Sequence, residues 1–200
     1  MGITLAILFD NWNQNRIEND IEYKTLLELK QGIQNDLIDI TANVDSYTLR
    51  SDAYDMLINH LENDQPFSDS LKQAAVWLKG ATAFINNTAA YETLKARGFD
   101  IIDDDDIRIA VLNYYDVSQD WVLYNEEQNN DHYLKSIKPI LIDYFNNGAH
   151  LDEANFEKLK QDRRAIQEFK WALGNQYYLL ERYKELEREA ERLVSLLPDK

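Results

Sequence analysis

The sequence predicts an all-α protein: an elongated up-down-up-down antiparallel four-helix bundle, with a very long first helix and a broken second one. Three observations lead there. Apolar residues recur at helical spacing over most of the chain. Only three prolines and six glycines interrupt 200 residues. Turn-forming residues fall between the periodic stretches and not inside them. No stretch shows the alternation of a half-buried strand.

The first helix rests on a heptad. From Ile33 an apolar residue returns every seventh position, at Ile40, Tyr47, Tyr54 and Leu61. A companion row is read at Leu37, Val44, Ser51 and Ile58, with Ser51 the one lapse. Together they make a bundle-type seam. Ile17, Ile21 and Leu26 extend the stripe backwards, and no proline precedes Pro66. One helix is expected from Ile3 to Asn63, with Gly32 a tolerated weak point. At about 1.5 Å per residue it would reach on the order of 90 Å, which makes the expected molecule a rod.

Asn63-Asp64-Gln65-Pro66 is a turn, because proline cannot continue the helix. The second helix runs from Ser68 to Leu78, becomes irregular over Gly80–Asn87, and resumes from Ala89 to Arg97 with Asn87 or Thr88 as cap. Lys95 and Arg97 suit its last turn, and Gly98 suits the position just beyond. Asp103 is expected to cap a third helix that reaches Phe145, bent near Pro139, with Ile107, Val111, Tyr114, Trp121 and Tyr124 on its buried face. Asn146-Asn147-Gly148 ends it. The fourth helix starts near Asp152. It carries one row of Leu159, Ile166, Leu173 and Leu180, and a second of Phe169, Tyr177, Tyr183, Ala190 and Leu197; Pro198 stops it. An even number of antiparallel helices returns Asp199 towards the start of the chain.

Composition narrows the partners. The net charge is −15, and residues 1–150 hold −14 of it. Such a surface repels phosphate backbones, so nucleic acid is excluded as a partner. With no cysteine there are no disulfides, thiolate metal sites or cysteine nucleophiles.

The candidate sites each have a plainer explanation. Asp103-Asp104-Asp105-Asp106 could suggest a divalent cation site. Successive helical side chains point about 100° apart, however, so four adjacent aspartates cannot converge; a cap with an acidic first turn explains them better. A di-iron carboxylate bundle needs Glu-x-x-His pairs, but Leu57, Asn129 and Asn147 precede His60, His132 and His150 by three. These histidines are read as solvent-exposed. No nucleophile elbow, phosphate loop or dinucleotide fingerprint occurs. Asn86-Asn87-Thr88 matches a glycosylation sequon but sits where a helix start is expected. Trp77, Trp121, Trp171, Tyr114-Tyr115 and Tyr177-Tyr178 are assigned to core packing in preference to a ligand pocket. No catalytic, cofactor-binding or metal-ligating residue is therefore expected, and no cofactor.

The first sixteen residues are distinctive. The apolar run Ile3–Phe9 ends at Asp10-Asn11-Trp12-Asn13-Gln14-Asn15-Arg16. Seven residues cannot cross a bilayer, which needs about 20, but Trp12 stands where an interfacial tryptophan belongs. Ile3–Arg16 resembles the end of the membrane helix in a bacterial family in which an I-x-I-A-L stretch runs into N-N-W-N-E-x-R. Asn87-Thr-Ala-Ala-Tyr-Glu-Thr-Leu-Lys-Ala-Arg-Gly98 is similar to that family's T-A-Y-E-x-L-K-x-x-G. The pairs Ile107-Arg108 and Tyr114-Tyr115 follow as they do there. The chain thus resembles the family catalogued as domain of unknown function 6090.

The resemblance implies a single-pass bacterial inner-membrane protein with a helical domain outside the cytoplasm. Residues 1–16 would be the end of the membrane helix with its flanking segment, and residues 17–200 the bundle. It singles out Tyr91, Glu92 and Arg97, with Tyr91 expected in the core and Glu92 paired to a basic neighbour. It supplies no activity. The expected function is non-enzymatic sensing, binding or scaffolding, with a protein partner or homo-oligomer. The alternatives are a soluble cytoplasmic interaction module and a carboxylate metal-dependent enzyme.

Overall fold

A computed structural model describes the backbone of residues 2–80, 82–148 and 150–199, and side chains within those ranges from residue 12 onward. The protein is all-α, 83% helical, with no strand among the described residues. Helix α1 spans Gly2–Glu62, uninterrupted. Helix α2, Asp69–Ala74, tightens into a 3₁₀ turn at Ala75–Leu78. Helix α3 is Ala89–Arg97, followed by a 3₁₀ turn at Phe99–Ile101. Helices α4 (Asp105–Leu112), α5 (Asp120–His132) and α6 (Lys138–Tyr144) run on through π-helical segments at Asn113–Gln119 and Tyr133–Ile137. Helices α7 (Glu153–Leu159) and α8 (Arg163–Leu196) complete the chain.

The chain forms two compact units. Unit 1 comprises residues 1–39, 85–120 and 186–200; unit 2 comprises 40–84 and 121–185. In unit 1, Leu26, Leu29 and Ile33 of α1 are buried, with Tyr91, Leu94, Ile102, Val111, Tyr114, Leu186, Ala190 and Leu193 completing the core. The chain's end returns to α1 there: Tyr23 Oη donates to the Asp199 carbonyl at 2.9 Å, and Lys30 Nζ pairs with the Asp199 carboxylate at 2.7 Å. In unit 2 the core runs from Tyr54, Leu57 and Leu61 through Leu71 and Leu78 to Leu141, Phe156, Leu159 and Phe169. Tyr47 meets Tyr183, Tyr54 meets Phe169 and Glu62 meets Lys170, so α1 and α8 are antiparallel within it.

Caps set several boundaries. Ser68 and Asp152 accept from the amides three residues on, at Leu71 and Asn155, as N-caps do. Asp104, not Asp103, caps α4: its carboxylate accepts from Asp106 N and Ile107 N. Thr88 occupies the cap position of α3 without a side-chain bond. The predicted fourth helix is two: Lys160-Gln161-Asp162 break it, and Asp162 starts α8 by accepting from Ala165 N at 3.0 Å. That bond, and a second from Tyr144 Oη, hold the Asp162 carboxyl below its ordinary pKa. Gly98 ends α3 with φ +107°, where a β-carbon would lie 2.4 Å from Asp100 Oδ1.

Three predicted faces are out of register. On α1 the row Ile33–Ile40–Tyr47–Tyr54–Leu61 is buried as expected. Its companion, however, is Leu29–Asp36–Asn43–Arg50–Leu57, polar at three of five positions. Of the predicted companion row, Ser51 and Ile58 are buried, whereas Leu37 and Val44 are only half-buried. On α8 the seam is Ala165, Phe169, Ala172, Gln176, Leu179, Tyr183, Leu186, Ala190, Leu193 and Leu197. Of the predicted rows, Leu159, Leu180, Phe169, Tyr183, Ala190 and Leu197 are buried as expected, whereas Ile166 and Leu173 lie one residue off the seam and Tyr177 is exposed.

The third correction is at Trp121 and Tyr124, which lie on the surface and stack on each other at 5.9 Å. The π segment Asn113–Gln119 inserts an extra residue into the turn. Beyond it the buried positions are Gln119, Val122, Glu126 and Asn129, one residue later than the face that Val111 and Tyr114 begin. The second π segment lies directly ahead of Pro139, whose ring and missing N–H an α turn would not accommodate.

Candidate functional site

The polar row on α1 explains the irregular stretch after α2. Non-helical chain leaves its backbone groups without helical partners, and buried ones must find others. In unit 1, Asp36 has no exposed surface at all. Its Oδ1 accepts from Asn87 N at 2.6 Å. Its Oδ2 accepts from Tyr114 Oη at 3.0 Å and Gln119 Nε2 at 2.9 Å. One turn on, Asp39 Oδ2 accepts from Ile85 N at 2.9 Å. Gln119 Oε1 in turn accepts from Asn86 Nδ2, and Tyr115 Oη reaches the Asn87 carbonyl at 3.5 Å. Burial raises the Asp36 pKa, although the Asn87, Tyr114 and Gln119 hydrogen bonds oppose the shift. All three donors are neutral, so burial outweighs them and the carboxyl is pushed above its ordinary value.

Unit 2 repeats the device. Glu126 accepts from Phe84 N at 3.1 Å and from Tyr183 Oη. Asn43 accepts from Thr82 Oγ1, and Arg50 donates to the Gly80 carbonyl. Gly80 N donates to Tyr133 Oη at 2.9 Å, and Gln176 Nε2 to Asn129 Oδ1 at 3.2 Å. Tyr47 Oη and Gln176 Oε1 are buried with no hydrogen-bond partner among the described residues. Both carboxylates, Asp36 and Glu126, are enclosed among helices and hold backbone in place. Chemically this is scaffolding of an irregular segment.

The predicted positions fall as follows. Asp103 to Asp106 are exposed and diverge: Asp103 N donates to Glu22, Asp104 caps, and Asp105 pairs with Arg108. No group of His, Cys, Asp or Glu that could hold a metal ion occurs among the described residues. His150 is exposed, but His60 and His132 are half-buried, against expectation. His60 Nδ1 lies 2.9 Å from the Met56 carbonyl. His132 Nε2 lies 3.0 Å from Glu168 Oε2, and this hydrogen bond lowers the Glu168 pKa. The Asn86 amide nitrogen of the sequon is engaged by Gln119.

Tyr114 and Tyr115 are core residues, whereas Trp77, Trp121, Trp171, Tyr177 and Tyr178 are exposed. The apolar matches at the latter positions are surface residues of helices whose seams run one residue away. Tyr91 is buried and stacks on Tyr115 at 4.3 Å. Glu92 is exposed, and no described residue forms an ion pair with it.

Arg97 lines a groove of about 830 Å³ within unit 1, with Asn15, Glu18, Glu22, Asp100 and Asp103. Trp12 is exposed under the Arg16 guanidinium, 5.6 Å from the ring centre. The side chains of Ile3–Phe9 lie outside the described residues. No helix is long and apolar enough to cross a membrane among the described residues. No protein-family model, no curated protein and no solved structure matches the chain.

Proposed function

We propose that this chain is a non-enzymatic helical interaction module, carried on a membrane helix at its N-terminus and facing away from the cytoplasm. The observation that carries the reading is the state of α1 at residues 12–20, where every side chain is exposed. Asn and Asp are poor helix formers, yet this uncovered, Asn-rich stretch runs without a break into a buried seam. A membrane-inserted run ahead of it would support this exposed stretch. The Ile3–Phe9 run, the resemblance at Ile3–Arg16, and the scarcity of basic residues between Asp10 and Lys24 agree with that orientation.

The four helical runs α1, α2–α3, α4–α6 and α7–α8 are read as an up-down-up-down bundle. The antiparallel α1–α8 pairs within unit 2 support that topology. Fractionation of the tagged full-length gene product tests the anchor: recovery in the carbonate-washed membrane pellet is expected, and recovery wholly in the soluble fraction overturns it.

A second reading, a module that pairs with itself, draws on unit 2. Trp171, Tyr177 and Tyr178 are exposed on α8 around Gly174, above which a β-carbon meets nothing. Such aromatic surface is enriched at interfaces. Light scattering on the 200-residue chain tests it, and a monomer at high concentration counts against self-association.

A further inference from the structure

In unit 1 the segment Ile85–Asn87 lies against α1 as non-helical chain, bonded to Asp36 and Asp39. Ile85 is 73% exposed, Asn87 is exposed and Asn86 half-buried, so little apolar surface holds the segment down. Its fixings are polar: Ile85 N to Asp39, Asn87 N to Asp36, Asn86 Nδ2 to Gln119, and Tyr115 Oη to the Asn87 carbonyl. Beneath it α1 carries Gly32. A β-carbon on Gly32 would reach only ordinary contact, 3.6 Å from the Asn87 carbonyl and 3.7 Å from Tyr115 Oη. The residues that follow are held differently, since Tyr91 is stacked on Tyr115 in the core.

We propose that Ile85–Asn87 is a latch that opens by itself, breaking hydrogen bonds without unpacking the unit 1 core, and so gates solvent access to the Asp36–Tyr114–Gln119 cluster. Segments with few buried apolar contacts open locally, well below the free energy of global unfolding. Tyr91 marks the end of the moving part, because releasing it would break an aromatic stack. The latch is thus a conformational device built into the fold: closed, it seals a carboxylate that has no cationic partner among the hydrogen bonds described for it; open, it presents that carboxylate, an amide and a phenol to the outside.

Native-state hydrogen exchange on the full chain tests this. The Ile85 and Asn87 amides are expected to exchange at least about tenfold faster than those of Leu29 and Ile33 beneath them, with little dependence on denaturant. Asp39→Asn weakens one fixing and is expected to speed Ile85 and Asn87 further while leaving Leu29 and Ile33 unchanged. Equal rates and equal denaturant dependence at all four amides overturn the proposal, as does a variant that accelerates all four together.

Discussion

Asp36 Oδ1 lies 2.6 Å from the backbone nitrogen of Asn87, joining a fully buried carboxylate on α1 to an irregular segment 51 residues further along. The same carboxylate collects Tyr114 and Gln119 from the first π segment. Removing it leaves three donors without an acceptor. Asp36→Ala is therefore expected to destabilise the protein by about 2–4 kcal/mol, since each stranded buried donor is penalised by its lost solvation. Urea unfolding with an unchanged m-value checks this.

The Asp36 pKa is raised by burial, so the folded state binds its proton more readily than the unfolded chain. The group's contribution is most favourable below the unfolded value of 3.8 and is lost as pH rises through the folded value. The stability gap between the wild type and Asp36→Asn is therefore expected to widen as pH is lowered from neutral towards 3.8. Glu168 works the other way. His132 lowers its pKa, so its contribution is present above the unfolded carboxyl value and disappears as pH falls through the folded one. His132→Ala is expected to reduce that acid-side loss. Both predictions are read from urea unfolding at a series of pH values.

Tyr47 and Tyr183 pack ring against ring at 5.3 Å, yet their hydroxyls differ. Tyr183 Oη bonds Glu126, whereas Tyr47 Oη is buried without a described partner. Tyr183→Phe is expected to lose about 1.5–3 kcal/mol, the range for a hydrogen bond to a charged group. Tyr47→Phe is expected to be neutral or mildly stabilising, because it removes a polar atom that burial penalises. Thermal unfolding of the two variants side by side decides it.

Two glycines should respond in opposite directions. Gly174 sits in α8 with open space where a β-carbon would go, so Gly174→Ala is expected to stabilise by about 0.5–1 kcal/mol through helix propensity. Gly98 has φ +107° and would bring its β-carbon to 2.4 Å from Asp100 Oδ1. Gly98→Ala is expected to cost about 1 kcal/mol or more in backbone strain. Denaturation midpoints check both.

Much of the secondary structure was legible in the chain. The all-α class, the unbroken α1, the turn at Asn63–Pro66, the break over residues 82–87 and the end at Asn146–Gly148 all follow from local causes. These are heptad recurrence, proline's missing donor, and residues that accept positive φ, such as Asn147 at +54°. The split between α7 and α8 and the shift of the cap to Asp104 are local too, but each turns on which neighbouring aspartate reaches an amide, a matter of a single bond.

The site could not be read in this way. An apolar pattern cannot reveal Asp36, Asn43, Glu126 and Asn129 as interior residues, because their burial depends on backbone and side-chain groups contributed from 39 to 83 residues away. Nor can it announce the π segment at Asn113–Gln119, which turns Trp121 and Tyr124 outward and Gln119 and Glu126 inward. The sequence by itself determined where helices form and stop, since those choices are settled within a few residues by propensity, caps and proline. Only the tertiary structure decided which polar side chains lie inside, because a buried carboxylate is tolerated only where distant chain brings donors to meet it.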